Sequence, residues 1–255
     1  MRHIVIIGIG TGNPEHVTVQ AINAMNRAHT IFIPTKGAAK DGLAAVRREI
    51  CSRYLTNGTT AIVEFAVPQR LTTGQTYLES VDDWHGALAE VYTKLIAALP
   101  QTAVGAFLVW GDPSLYDSTI RILERAYSLQ TVEFDVSVIP GITSMQALAA
   151  SHRIPLNLVG KPVEITTGRR LAQFGNQADT TVVMLDGELA FSKIDDPEAE
   201  IFWGAYLGTP DEITHAGRLA DVADDIVRSR ADARARHGWI MDIYLLRKGQ
   251  DFDDL

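Results

Sequence analysis

Short, continuously apolar runs alternate with segments whose apolar residues recur at helical spacing, and this rhythm holds from the N-terminus to about residue 150. Residues 3–9 read as a first, central strand because the run has no polar alternation. Thr18 to Arg27 reads as a helix with Val17, Ala21, Ala24, Met25 and Ala28 on one face. Thr30 to Pro34 is a short strand, Lys36 to Gly42 a loop, and Leu43 to Tyr54 a helix expected to carry Arg47 and Arg48 outward. Thr60 to Ala66 is a third strand, and residues 68–75 form a polar loop. Thr76 to Leu99 then spaces Trp84, Leu88, Val91, Leu95 and Ile96 as one stripe. Ala103 to Val109 is a strand, a helix opens at Thr119, Glu133 to Ile139 is a strand, and Thr143 to Ser151 is a helix. Strands and helices in alternation imply a parallel sheet with right-handed crossovers.

Past that point the pattern changes. Val163–Thr167, Thr180–Leu185, Glu200–Tyr206 and Trp239–Leu246 read as strands with little helix among them, and Leu219 to Ser229 is the last helix. A mixed second sheet with antiparallel pairs is expected. The fold class is α/β in two α/β domains, 1–117 with a parallel sheet and 118–255 with a mixed one, and the acidic tail Asp251–Leu255 is expected to fray.

Composition narrows the setting. A chain of 255 residues, 46% hydrophobic, can bury two such cores. No apolar stretch nears the roughly 20 residues of a membrane span, and Ile4–Ile7 is too short for a signal segment, so a cytoplasmic protein is expected. The single cysteine, Cys51, excludes a disulfide framework and reads as a packed thiol in an amphipathic helix. A net charge of −8 argues against nucleic acid as a partner. An acidic ligand would need cations gathered locally.

Candidate chemistry sits in glycine-containing loops at the carboxyl ends of strands, where open α/β sheets place ligands. Trp110-Gly111-Asp112-Pro113-Ser114-Leu115-Tyr116-Asp117-Ser118 joins a strand to a helix. Gly111 permits close backbone approach, and Asp117 or Ser118 can cap the helix. Gly8-x-Gly10-x-Gly12 follows the first strand, but a dinucleotide fingerprint fails at Asn13 and lacks its later acidic residue. There is no P-loop sequence.

Taken in order, the glycine-rich first loop, Gly111-Asp112-Pro113-x-x-Tyr116, and Pro140-Gly141-Ile142-Thr143-Ser144 before an Ala-rich helix resemble the tetrapyrrole methylases, the class III S-adenosylmethionine methyltransferases. The resemblance runs over nearly the whole chain. It implies that S-adenosyl-L-methionine lies folded in a cleft between the two domains and leaves as S-adenosyl-L-homocysteine, with no metal. It places Trp110, Gly111, Asp112, Leu115, Thr143 and Ser144 around this donor, with Asp186 and Gly208 at two later positions. The nonamer Trp110–Ser118 and the opening Gly10-Thr11-Gly12-Asn13-Pro14-Glu15-His16 look most like members that methylate C-1 of precorrin-5 and release acetate. Other precorrin carbons (C-20, C-11, C-17), an RNA or diphthamide-precursor substrate, and a donor-binding module without catalysis are the alternatives. A homodimer is also implied.

Thr11 stands where the family usually has proline, and Asp117 where it usually has glycine. Deacylation calls for a base to activate water and for oxyanion donors. Tyr116, Asp117 and Thr11 are the preferred catalytic candidates, with His152, His85 and Glu64 behind them, although His152 also reads as a surface residue at a helix end. Substrate carboxylates need cations. Arg70, Arg169, Arg170 and Lys36 are preferred over Arg47, Arg48 and Arg53.

Overall fold

The structure, a computed structural model, describes residues 1–35, 37, 41–70, 74, 76–196 and 198–248, with the backbone alone at Asp41. The chain divides into a first unit, Met1–Ile142, and a second beginning at Thr143.

The first unit runs β1 (Arg2–Gly8), α1 (Val19–Arg27), β2 (Thr30–Thr35), α2 (Asp41–Tyr54), β3 (Ala61–Ala66), α3 (Tyr77–Ala97), β4 (Val104–Val109), α4 (Thr119–Ser128), β5 (Phe134–Ile139). Its five strands lie in the order β3-β2-β4-β1-β5, and every pair is parallel. Strand side chains alternate between faces, so one sequence feeds two cores. Ile4, Ile6, Phe32 and Phe107 pack with Leu88, Tyr92 and Ile96 of α3 and with Ile122, Leu123 and Ala126 of α4. Val5, Ile7, Ile31, Ile33 and Leu108 pack with Ala21, Ala24 and Met25 of α1 and with Ala44, Ile50 and Cys51 of α2. This is why the runs read as unbroken apolar stretches: both faces are covered.

The order also creates a switch point. The chain leaves β1 toward β2 by way of α1, on one face. It leaves the adjacent β4 toward β5 by way of α4, on the other. Loops diverging from neighbouring strands open the crevice that such sheets use for ligands.

The second unit runs α5 (Ser144–His152), β6 (Val163–Thr167), α6 (Gly168–Phe174), β7 (Thr180–Met184), β8 (Glu200–Ala205), β9 (Ile213–Arg218), α7 (Leu219–His237), β10 (Asp242–Arg247). The order is β6-β7-β10-β8-β9, with β6–β7 parallel and the other pairs antiparallel, so the sheet is mixed as expected. Phe191, Trp203, Tyr244 and Leu246 form one core with Ile226 and Ala233 of α7. Ala147, Leu148, Val182, Ile243 and Leu245 form the other. A nearly buried Arg230–Asp242 ion pair at 2.8 Å joins α7 to β10, and Asp242 also accepts from Trp203 Nε1 at 3.1 Å.

Four expectations need correction. The division falls at 142/143 rather than 117/118, because β5 pairs with β1 along its whole length and carries α4 into the first unit with it. Strand β9 and helix α6 were not anticipated: β9 turns only Ile213, His215 and Gly217 inward, a face with one large apolar residue, and α6 opens on a glycine and has seven residues. Helix α7 continues past Ser229 to His237 through an Ala- and Arg-rich stretch. Finally, Arg47 does not face outward. It lies three residues after Ala44 and four before Cys51, on the buried stripe of α2, and is only 8% exposed.

Cys51 is fully buried, and burial pushes its thiol up to about 11. Since the thiolate is the reactive form, a thiol reagent at pH 8 is expected to leave native protein unlabelled and to modify one equivalent in denaturant. Rapid native labelling, followed by mass spectrometry, would refute that packing.

Candidate active site

Three strand ends meet at the switch point through glycines. Gly10 N–H donates to Gly111 O (3.3 Å) and Gly111 N–H to Gly10 O (2.8 Å), a small antiparallel bridge between the loops after β1 and β4. The loop after β5 closes on the same spot. A Cβ on Gly141 would stand 2.2 Å from Gly111 O, and one on Gly8 would stand 2.6 Å from Gly141 N. No side chain fits between these backbones. Gly111 differs: its φ is +66°, and an added Cβ would meet nothing within 4 Å. There the glycine serves the turn, and the space beside it is open.

Asp112 locks this arrangement. Its Oδ2 accepts from Gly141 N–H at 2.8 Å, and its Oδ1 accepts from Ser114 N–H at 2.8 Å and from the Ser114 hydroxyl. Partial burial works to raise its pKa, but the bonds from Ser114 and Gly141 outweigh that and hold the carboxyl below its usual value. The carboxylate is thus committed to its own chain. Trp110 is half-buried just past β4, and Leu115 N–H donates to Asp112 O at 3.3 Å in the turn that follows.

Beside these loops lies a cavity of about 320 Å³, lined among others by Arg47, Trp84, Tyr92, Tyr116, Asp117 and Ser118. Tyr116 is 45% exposed at a φ of +52°, a left-handed conformation that is uncommon outside glycine. Asp117 Oδ1 accepts from Thr119 N–H at 2.7 Å, capping α4, so its capping and cavity-facing readings coexist. Arg47 is the buried cation. Its Nε donates to Leu108 O at 2.9 Å and its Nη1 to Leu43 O at 2.8 Å. Burial lowers the guanidinium to about 10, against the pull of Asp117 and Tyr92, so it stays charged at neutral pH. Burial, with the Asp117 charge, pushes the Tyr92 phenol up to about 12, which makes it a neutral wall. On α3, His85 Nε2 lies 2.9 Å from Ser118 Oγ.

The other expected residues are placed as follows. Thr11 is buried, with its hydroxyl 3.4 Å from His16 Nδ1, and does not line the cavity. Glu64 pairs with Arg48 on the surface, and Arg53 pairs with Glu15. Arg70 is exposed and stacks on Tyr77 at 5.1 Å. Lys36 lies outside the described residues.

In the second unit, Thr143 and Gln146 form a capping box at the start of α5, with Ser144 the first helical residue. His152 is not a free surface residue: its Nε2 lies 3.0 Å from Trp203 O. The Asp186 carboxylate accepts from Glu188 N–H (3.0 Å), Ala190 N–H (2.7 Å) and the Tyr244 hydroxyl (2.6 Å), while its carbonyl accepts from Arg230. Gly208 has φ +81° and donates to Glu212 Oε2 at 2.7 Å. Arg169 and Arg170 are exposed, and Arg170 lies over the Phe174 ring at 4.7 Å, beside a depression of about 280 Å³ that also carries Glu164.

The burial of Arg47 and the pairing of Ser118 with His85 are the features that residue types alone did not bring forward. The position of Arg47 on the Ala44–Cys51 stripe was the available signal for the first. Nothing in the linear order pairs residues 85 and 118.

Residues 3–223 match the tetrapyrrole (corrin/porphyrin) methylase family. The chain is 65% identical to a precorrin-6A synthase [deacetylating] from Sinorhizobium sp, over 100% of this chain and 98% of that one. It is 30% identical to a precorrin-2 C(20)-methyltransferase from Sinorhizobium sp, over 66% of this chain and 69% of that one. Among solved structures, a cobalamin synthesis related protein from Corynebacterium diphtheriae superposes with a TM-score of 0.83 at 38% identity, covering 98% of this chain and 100% of that one. A uroporphyrin-III C-methyltransferase from Thermus thermophilus, solved with S-adenosylhomocysteine, shares the fold at a TM-score of 0.60 and 18% identity, covering 96% and 97%.

Proposed function

The chain belongs to the tetrapyrrole (corrin/porphyrin) methylases, and from that premise we propose that it uses S-adenosyl-L-methionine to methylate C-1 of precorrin-5 and releases acetate, giving precorrin-6A in aerobic cobalamin synthesis. The observation that carries the reading is the end-to-end identity with the deacetylating synthase, which no ring-carbon specificity of a different kind matches over the full chain among the relatives compared.

The first unit's residues suit the task. When bound, the donor supplies an electrophilic methyl group. The space beside Gly111 is open and holds no free carboxylate, because Asp112 is spent on Gly141 and Ser114. A neutral backbone cradle suits a sulfonium ligand. In the second unit the resemblance assigns Thr143, Ser144, Asp186 and Gly208 to the donor, and there too the carboxylate is committed to its own turn. The Arg47 cavity offers a buried cation to a carboxylate or carbonyl oxygen of the substrate, with Tyr116 and Asp117 at its wall. Arg70, Arg169, Arg170 and Lys36 are retained as candidates for the outer carboxylates. The proposed chemistry calls for no metal ion, and the proposal extends to a cytoplasmic homodimer on the strength of the resemblance.

Anaerobic incubation with methyl-labelled S-adenosylmethionine and precorrin-5 tests it. The expected result is one methyl incorporated for each acetate released. Incorporation without acetate would reassign the reaction to another ring carbon.

A further inference from the structure

Serine is a favoured residue at the N-cap of a helix, where its hydroxyl ordinarily accepts a backbone N–H. Ser118 occupies that position before α4, yet its side chain makes no capping bond. Asp117 caps Thr119 instead, and the Ser118 hydroxyl turns to His85 Nε2 at 2.9 Å. The same serine lines the cavity that holds Arg47. A hydroxyl released from capping, backed by an imidazole and sharing a cavity with a buried cation, is an arrangement suited to acyl chemistry.

Resting on the function proposed above, we infer that Ser118 is a catalytic residue of the deacetylation, relaying a proton from the attacking water to His85, while Arg47 receives the acetate. Water adds to the acetyl carbonyl carbon as its proton passes to Ser118 Oγ and the Ser118 proton passes to His85 Nε2. The bond between the acetyl carbon and C-1 then breaks. Its electron pair stays on the ring and is taken up by the methyl group of the sulfonium donor, which leaves as a thioether. The carboxylic acid ionises, its proton and the one held by His85 go to solvent, and the acetate charge is taken by the Arg47 guanidinium. His85 acts through Ser118 and is a positioning residue in this scheme.

The surroundings of His85 favour the neutral ring that such a relay needs. Burial, followed by Arg121 and Arg125 on α4, holds its pKa below 6.5, and only Asp82 on its own helix opposes them. Asp82 is itself paired with Arg125 at 2.7 Å. On the cavity side the charged groups among the described residues are Arg47 and Asp117. The alternative role for the contact is a tie between α3 and α4, and that role would not move acetate chemistry at constant stability.

The test uses the full chain with precorrin-5 and donor. Ser118→Ala and His85→Gln are expected to slow acetate release about 100-fold or more, the range of lost acid–base assistance, with melting temperature and donor Kd unchanged. Ser118→Thr keeps a hydroxyl and is expected to recover at least about a tenth of the rate. In the wild type, acetate release is expected to fall as pH drops through a value below 6.5, where His85 takes up a proton, and His85→Gln is expected to lose that limb. A Ser118→Ala variant within about threefold of a wild type that releases acetate overturns the role of the pair alone, as does persistence of the acid limb in His85→Gln. A wild type that methylates without releasing acetate overturns the underlying reading and the relay together.

Discussion

Gly141→Ala is expected to abolish measurable donor binding and to lower stability by at least about 3 kcal/mol, the upper end of ordinary overpacking. The reason is where the new methyl group would stand: 2.2 Å from Gly111 O, with Gly8 C at 2.8 Å. Overpacked side chains relieve strain by changing rotamer. Here the obstacles are main-chain atoms at the ends of β4 and β1, and the ladders of β1 with β4 and with β5 hold all three strand ends in place. Relief therefore moves the Gly111 loop, breaks the Gly141–Asp112 bond, and shifts the open face of Gly111. Gly111→Ala is the informative companion. Its Cβ meets nothing within 4 Å, so its only internal cost is a left-handed alanine at φ +66°, about 1–2 kcal/mol. That variant should fold, yet place a methyl group where the donor backbone contact is proposed. Calorimetric titration with S-adenosylmethionine and thermal unfolding read both effects. Unchanged melting and unchanged Kd for Gly141→Ala would mean that the three strand ends separate freely.

The fold was legible because its strands are covered on both faces. Ile4 to Ile9 and Ala103 to Val109 contain almost no polar residue, so strand identity did not depend on guessing a face. The glycine-rich strand ends were legible because close approach of backbones leaves glycine at residues 8 and 141, and left-handed turns leave it at 10 and 111. What stayed hidden was set by contacts distant along the chain. The allegiance of β5 depends on its ladder with β1, some 130 residues away by numbering (Arg2 opposite Phe134), and no linker composition marks it. Strand β9 exists because β8 offers an edge, not because its own residues alternate strongly. Asp112 and Asp186 were placed beside the donor only through the resemblance. Their carboxylates turn out to bind their own loops, which residue type could not decide, since the same oxygen serves a backbone N–H or a ligand equally well. Arg47 runs against its residue type: arginine is seldom buried, yet it shares the stripe of Ala44 and Cys51 on α2.

The reason Arg47 is tolerated inside leads to the second large effect. Pairing between β2 and β4 runs from Thr30–Gly105 to Phe32–Phe107 and stops there. The Leu108 carbonyl lies beyond that point, and Arg47 Nε donates to it. The guanidinium thus takes over with one nitrogen where the β2–β4 ladder ends, ties back to Leu43 O with another, and lines the cavity. Arg47→Met keeps most of the side-chain volume and removes the charge. It is expected to cost about 1–3 kcal/mol of stability, the penalty for a buried acceptor left without a donor. The functional loss should be larger. A substrate or product carboxylate would face Asp117 without its counter-charge, and losing one partner of a buried charge pair costs about 2–5 kcal/mol. That corresponds to at least about a 30-fold fall in kcat/KM for the precorrin, at about tenfold per 1.4 kcal/mol. Arg47→Lys keeps the charge but not the planar fork and should fall between. The Kd for S-adenosylmethionine, whose proposed cradle is the Gly111 loop, should change little in either variant. Steady-state kinetics with precorrin varied at saturating donor, beside calorimetric donor binding, separates the two. An Arg47→Met enzyme with wild-type kcat/KM would assign the guanidinium to the end of the β2–β4 ladder alone, and the cavity would lose its claim to the acetyl group.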